Sequence, residues 1–282
     1  MGKALEVVTS FATAPGVAAF AACAAAAGNS LQVRSADMKS KVWLLNAWAF
    51  NQVAGQLRIR SPRLHDAVNG MRFRIPAAST LPRLSGAIAG GFPQFLIPQD
   101  TLIVESQGSA VAGQIESNTM LVYYENLPGV SARLIGNDIL MRYGVNITTI
   151  QATITAVATG QYGGAVLVSA ATQNLKANTD YALLGGESDT RGTVIRATGV
   201  DFGSLGVGFP AEPSIADETV GWFQDLAVNF QMPLIPVFNS ANFGGITVDL
   251  QTNQAGGTFI VDLLCVELQG GSVAPAGSGP SV

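Results

Sequence analysis

A chain of 282 residues is too long for one minimal domain and suits two compact ones or a single large β architecture, so the size of the core is not limiting. Charged residues make up 12% against 48% hydrophobic, with 32 glycines and a formal net charge of −4; this is about half the charge usual in soluble domains. Such a composition fits a β-rich chain with many glycine turns, and it fits better a protein that buries surface against neighbours, because interface cores are depleted in Lys, Glu and Asp. Cys23 and Cys265 lie far apart in apolar runs, which excludes a disulfide framework and zinc spacing and fits a reducing compartment.

Residues 1–29 read as an apolar, small-residue N-terminal arm. The stretch Ala4–Ala27 is broken by Glu6 and Pro15-Gly16, and what remains from Gly16 is too short to cross a bilayer, which takes about 20 helical residues. It has the outline of a signal peptide, with a positive region reduced to Lys3. The arm is expected to be partly helical from about Ala14, packing under a neighbour, against a membrane, or over one end of its own sandwich.

Beyond Gly28, short β-branched and aromatic runs alternate with Gly, Pro, Asn, Asp and Ser, the pattern of an all-β chain. The first set of expected strands is Leu31–Arg34, Val42–Ala49, Gln56–Arg60, Met71–Ile75, Thr101–Glu105 and Asn118–Glu125. The second is Asp138–Tyr143, Asn146–Val157, Ala165–Ser169, Tyr181–Leu184, Thr193–Ala197, Gly221–Asn229, Gly245–Leu250 and Thr258–Leu268. A first β-sandwich over 30–130 and a second over 131–270 follow, joined at the turn-rich NLPGVSA, with a Gly/Pro/Ser-rich tail over 271–282.

Alternation is clearest in Leu57-Arg58-Ile59-Arg60 and Met71-Arg72-Phe73-Arg74-Ile75, which sends Arg58, Arg60, Arg72 and Arg74 away from the core. If the two strands are neighbours, these arginines and the nearby Arg63 form one basic patch. Charge is skewed along the chain. Through Arg83, ten basic residues face three acidic ones, and the remainder carries −11. The patch is expected to contact either nucleic-acid phosphate or the acids of an adjoining subunit, and the skew favours the second.

The two sets of strands repeat in order. Trp43-Leu44-Leu45 matches Ala182-Leu183-Leu184 (182 − 43, an offset of 139), and Ile59-Arg60 matches Ile195-Arg196 at 136. Leu64 falls on Val200, and Gly70-Met71-Arg72-Phe73 falls on Gly206-Val207-Gly208-Phe209, both at 136. Leu96-Ile97-Pro98 meets Leu234-Ile235-Pro236 at 138, and Met120–Glu125 meets Asp262–Glu267 at 142. Ordered matches at so steady an offset indicate a duplication.

The repeated halves, the low-lysine Gly/Ala-rich composition and the apolar N-terminal arm together resemble the double jelly-roll major capsid proteins of tailless icosahedral viruses and phages, including those with an internal membrane. The resemblance covers nearly the whole chain. It implies two tandem jelly-roll-like antiparallel β-sandwiches, three copies forming a pseudo-hexagonal capsomer, and a structural coat protein of the virion assembled in the host cytoplasm. Its partners would be further copies of itself, other capsid proteins, and a membrane or the genome reached through the arm or the basic patch. No cofactor is implied. A secreted carbohydrate-binding or adhesive double sandwich is the alternative, since it shares the fold, the low charge and the Gly/Asn-rich loops.

Residues for catalysis are sparse. Nucleophilic triads need a histidine beside the nucleophile, and the one histidine, His65, sits with Asp66 in an expected turn. Asp217-Glu218 and Glu187-x-Asp189 are candidate acid/base or calcium carboxylates, read as solvated loop charges. The run Gly203–Gly208 lacks the lysine of a phosphate-binding loop and reads as turn glycine. Asn146-Ile-Thr148 forms a glycosylation sequon inside an expected strand. No enzymatic activity and no metal site are expected.

Overall fold

The computed structural model describes residues 2–34, 40–50, 53–63, 68–75, 93–127, 129, 131–155, 158–167, 173–190, 193–211, 221–253 and 256–269. The first half contributes β1 (Gly2–Thr13), β2 (Ala21–Ala22), β3 (Ala24–Ala25), β4 (Lys41–Phe50), β5 (Gly55–Arg60), β6 (Met71–Ile75), β7 (Gln94–Leu96), β8 (Ile103–Gln107) and β9 (Ile115–Leu127). The second contributes β10 (Leu134–Ile135), helix α1 (Asn137–Tyr143), β11 (Gly144–Thr155), β12 (Tyr162–Leu167), β13 (Asp180–Ser188) and β14 (Thr193–Gly199). It continues with β15 (Gly203–Ala211), helix α2 (Trp222–Phe230), β16 (Ile235–Asn239), β17 (Thr247–Thr252) and β18 (Thr258–Leu268).

These strands form four antiparallel sheets. Sheet I has the order β2-β8-β5-β6, sheet II β3-β1-β9-β4-β7, sheet III β12-β17-β14-β15 and sheet IV β10-β16-β13-β18-β11. Setting aside the short edge additions β3 and β10, sheets II and IV have the same order when each half is counted from its own start, and so do sheets I and III. Each half is therefore an eight-stranded, two-sheet jelly roll, and the chain is a tandem pair.

Register sharpens the duplication. The β4–β9 ladder is irregular between Leu44 and Asn46, and the β13–β18 ladder between Leu183 and Gly185, so both copies carry a bulge at the paired leucines Leu45 and Leu184, as the offset of 139 requires. Gly70 and Gly206 also correspond, each with positive φ (+63° and +73°) and each closing on the opposite strand, at the carbonyls of Ile59 and Ala197. This keeps the offset of 136 for β6 onto β15 but moves β5 onto β14 to 138 (197 − 59), two residues from the expected match.

The last strand needs a larger correction. Leu44 pairs with Val122 and Leu183 with Cys265, which sets β9 onto β18 at 143 (265 − 122), not 142. A slip of one residue exchanges the faces of a strand. Likewise Leu96 corresponds to Phe238, since Val42 pairs with Leu96 and Tyr181 with Phe238, so the shared Leu-Ile-Pro is out of register by four. The match at Leu64 lies outside the described residues.

The four sheets stack in the order I, II, III, IV. Ala4, Val8 and Ala12 of β1 join Met120, Val122 and Tyr124 of β9 and Leu57 and Ile59 of β5 in the core of the first sandwich. The alternate residues Leu5, Val7, Leu121 and Tyr123 belong instead to the core that fills the second half. Sheet II is thus buried on both faces, one against sheet I and the other against sheet III. Gly208 of β15 makes this seam close, because a Cβ there would stand 2.3 Å from Val7 Cγ1. Tyr162 of β12 spans the seam, its hydroxyl 2.9 Å from Thr9 Oγ1.

Burial on both faces explains why residues 2–13 read as an arm: a doubly covered strand is a continuous apolar run rather than an alternating one. Residues 2–13 are a central strand of the first sandwich, which begins at Gly2 and not at residue 30. The alanine-rich segment that follows contains no helix. It supplies β2 and β3, short pairings on sheets I and II, so tertiary context overrides the helix propensity of alanine. Glu6, inside the first sandwich, is paired with Arg34 at 2.7 Å and accepts from the Tyr124 hydroxyl at 2.8 Å; burial raises its carboxyl above the ordinary value against the pull of Arg34.

Two further expected strands are helices. Asp138–Tyr143 falls in α1, where Asp138 in the first turn and Arg142 in the last complement the helix dipole. Gly221–Asn229 falls on α2, whose buried Trp222, Phe223, Leu226 and Ala227 mark a helical stripe. From α2, Trp222 meets Trp48 of sheet II and Phe223 meets Phe209 of sheet III. At the link between halves, Arg133 is clamped to Asp180 at 3.0 and 2.6 Å and stands 3.7 Å from Asp201.

Candidate assembly surface

Sheet I is an end layer, and its outer face carries the arginines. β5 lies between β8 and β6, with Arg58 directly opposite Glu105 on one side and Arg72 on the other, and Arg74 opposite Gln56. Arg58, Arg60, Arg72 and Arg74 therefore share one face, while Arg63 lies in the turn after β5, where its N–H donates to Ser61 Oγ.

Glu105 is the centre of this face. Its carboxylate accepts from Arg58 Nε at 2.7 Å and from Arg60 at 2.9 and 3.1 Å, and the bonds from Arg60 and then Arg58 pull its pKa down to about 2. Arg58 also lies over the Phe20 ring, 4.1 Å from its centroid. Arg72 and Arg74, on the edge strand β6, are exposed. Arg72 is held by Asn69, donating to the backbone oxygen at 3.2 Å and to Oδ1 at 2.8 Å.

The same constellation recurs in sheet III. Arg196 is the counterpart of Arg58 (196 − 58 = 138), it pairs across the ladder with Asp249 as Arg58 does with Glu105, and it lies 4.0 Å over the Tyr162 ring. Its bonds to Asp249 are bidentate, at 3.0 and 2.5 Å. Here the group faces the seam: a Cβ on Gly28 of the first half would stand 3.7 Å from the guanidinium.

At the other end of the stack, the outer face of sheet IV carries acids. Glu187 and Asp262 are directly opposite on β13 and β18. Asp262 accepts from Gln151 Nε2 at 3.0 Å. Glu187 Oε2 is buried with no hydrogen-bond partner among the described residues. Around them lie Ile147 at 70% exposure, Ile260 at 41% and the exposed Thr149 and Thr153. A separate shallow cleft of about 430 Å³ between α1 and α2 is lined by Asn137, Asp138, Val228 and Met232.

The remaining candidates do not converge. Cys23 is buried, accepts from Asn118 Nδ2 at 3.1 Å, and burial pushes its thiol up to about 11; Cys265 is fully buried and also raised. Gly203–Gly208 is strand β15 rather than a turn. Asn146 donates to Glu267 from β11. His65, Asp66, Asp217 and Glu218 lie outside the described residues. Among the described residues no three His, Cys, Asp or Glu side chains form a metal cluster, and no helix is long and apolar enough to cross a membrane.

Sequence reasoning missed Phe20, Glu105, Asp249, Tyr162 and Asp262. Strand register was the signal that would have found them: with Ile59 opposite Met71 and Ala197 opposite Val207, Arg58 and Arg196 coincide and the opposed acids follow.

No protein-family model matches the sequence, and no curated protein does. Among solved structures, the chain is similar to the crystal structure of the PBSX exported protein XepA, at 12% identity and a TM-score of 0.26, over 93% of this chain and 86% of that one. It is also similar to the crystal structure of the STIV MCP, at 8% identity and 0.17 over 95% and 97%, and to the atomic structure of Sulfolobus Turreted Icosahedral Virus, at 12% and 0.19 over 95% and 82%. At such TM-scores these likenesses carry neither a fold nor a function to this chain.

Proposed function

We propose that this protein is a non-catalytic structural protein that assembles with copies of itself into a shell, as a viral coat. The observation that carries the reading is the open-ended stack. Within the chain, the outer face of sheet II packs on the outer face of sheet III; the corresponding faces left over among the described residues are that of sheet I and the part of sheet IV around Ile147, Ile260 and Asp262, beyond the end where Ala182, Val237 and Val266 are buried. A chain that ends in a socket and a plug of the kind it already joins internally is suited to heterologous contacts, which generate rings when the rotation closes. Three such chains supply six similar sandwiches to a pseudo-hexagonal tile, the form expected of a virion capsomer built in the host cytoplasm.

The low lysine count supports the same reading. Lysine is the usual guard of exposed strand edges, and the chain has four, Lys3, Lys39, Lys41 and Lys176. The test is the state of the purified full-length chain. Sedimentation velocity together with negative-stain microscopy is expected to show trimers, tiles or closed particles, and a monomer that persists at low salt and high concentration overturns the proposal.

A further inference from the structure

We propose that the outer face of sheet IV is the docking surface for the outer face of sheet I of a second copy, in the packing that sheets II and III make within one chain. This rests on the self-assembly reading above and names its contact. The first support is the match between a covered face and an uncovered one. With β9 onto β18 at 143, the partner strands set β1 onto β11 at 142, since Thr9 pairs with Thr119 and Gln151 with Asp262. Leu5, Val7, Thr9 and Leu121 then correspond to Ile147, Thr149, Gln151 and Leu264. Leu5, Val7 and Leu121 are 0% exposed in the seam, whereas Ile147 is 70% exposed. An apolar position that is core in one copy lies bare in the other.

The second support is charge. Trp48 and Thr119 of sheet II become Glu187 and Asp262 on sheet IV (187 − 48 = 139; 262 − 119 = 143), and Gly208 and Pro210 of sheet III are replaced by Arg72 and Arg74 on sheet I (208 − 72 = 136; 210 − 74 = 136). The neutral seam is thus rewritten as acid on one open face and arginine on the other. Like charges directly opposite each other cost stability within a sheet, and here they occur on both, as Glu187 with Asp262 and Arg58 with Arg72. A partner of opposite sign removes both costs.

The third support is the Arg–aromatic–carboxylate group itself. Tyr162 meets Thr9, which is hydrogen-bonded to Thr119, across the seam. Transposed between copies, this puts Phe20 and Arg58 of one chain beside Gln151 and Asp262 of the next, within reach of the unpartnered Glu187 Oε2. Buried carboxylate oxygens are normally bonded, and an arginine fork is the donor that suits paired carboxylates.

The experiment compares four full-length proteins by sedimentation velocity, with near-UV circular dichroism and melting temperature confirming that each is folded. Wild type is expected to assemble, R72E/R74E and E187K/D262K to sediment as monomers where wild type is assembled, and the combined R72E/R74E/E187K/D262K chain to recover assembly through the swapped charges. Wild-type assembly that survives R72E/R74E, or a folded combined variant that stays monomeric, overturns this contact while leaving self-assembly in place. A monomeric wild type removes both.

Discussion

Arg196 and Arg58 occupy the same place in two copies of one fold and are shielded to the same extent, at 15% and 16% side-chain exposure, but by different things. Arg196 is closed in by Asp249, Tyr162 and the neighbouring jelly roll. Arg58 is closed in by Glu105 of its own sheet and by Phe20 just before β2, with no further layer over it among the described residues. The local recipe is common to both and the environment is not, so the difference between them isolates what burial against another layer adds. A buried charge is held by its partner, and removing that partner is costly because no water replaces it.

Removing the carboxylate is the sharpest way to break the comparison. Asp249→Ala leaves Arg196 unpaired in the seam and is expected to cost about 3 kcal/mol, whereas Glu105→Ala leaves two arginines on an open face and is expected to cost about 1 kcal/mol. Chemical denaturation of both variants under assembly-free conditions checks the ratio. Equal losses would mean that the seam does not desolvate Arg196.

Packing gives the next largest effect. At Gly208 an added Cβ meets Val7 at 2.3 Å and the Ile195 carbonyl at 2.9 Å, so Gly208→Ala must push the seam apart and is expected to destabilise by about 2 kcal/mol. Its counterpart Arg72→Ala changes an exposed edge and is expected to stay within about 0.5 kcal/mol in the monomer. Thermal unfolding of the two variants side by side measures the contrast.

A third test uses protons. The carboxyl of Glu105 is lowered from 4.5 to about 2 by Arg60 and Arg58, so it binds its proton more weakly in the folded chain than in the unfolded one. The stability it contributes is therefore fully present above pH 4.5 and is lost as pH falls toward 2, a change on the order of 1 kcal/mol once solvent screening is allowed for, in line with the Glu105→Ala loss. In Glu105→Gln that part of the acid limb should flatten. An unchanged pH profile would show that the arginines do not hold this carboxylate.

Much of this architecture is legible in the residues. Leu57-Arg58-Ile59-Arg60 and Met71–Ile75 declare their faces because one side of sheet I is open, so polar and apolar positions alternate. β1 is illegible for the opposite reason: layers on both sides make ALEVVTSFAT a continuous apolar run, and the alternation on which strand reading depends disappears. Trp222–Phe230 was missed because its aromatic and β-branched residues carry strand propensity, while its helical spacing matters only once the open side of the sandwich is there to be filled. The duplication was readable in outline, but its register was not, since composition constrains a strand only to within a slip. The bulges at Leu45 and Leu184 and the positive-φ glycines Gly70 and Gly206 settle it. Opposed acids such as Glu105 and Asp249, more than 40 residues from their arginines, become partners only through that register.

The smallest expected effect tests the aromatic position, where the two copies differ by one hydroxyl. Tyr162 has it and uses it, bonding Thr9 across the seam, and burial holds that phenol well above its ordinary pKa. Phe20 lacks it on a face that carries no further layer among the described residues. Tyr162→Phe makes the seam copy resemble the open one and is expected to cost about 1 kcal/mol through the orphaned Thr9 hydroxyl, softened by its remaining bond to Thr119. Phe20→Tyr adds a hydroxyl to a half-buried ring that no second jelly roll covers among the described residues, so no measurable change in unfolding free energy is expected. If the monomer instead responds to Phe20→Tyr as strongly as to Tyr162→Phe, the outer face of sheet I is already covered within the chain, and the contrast between seam and open face falls.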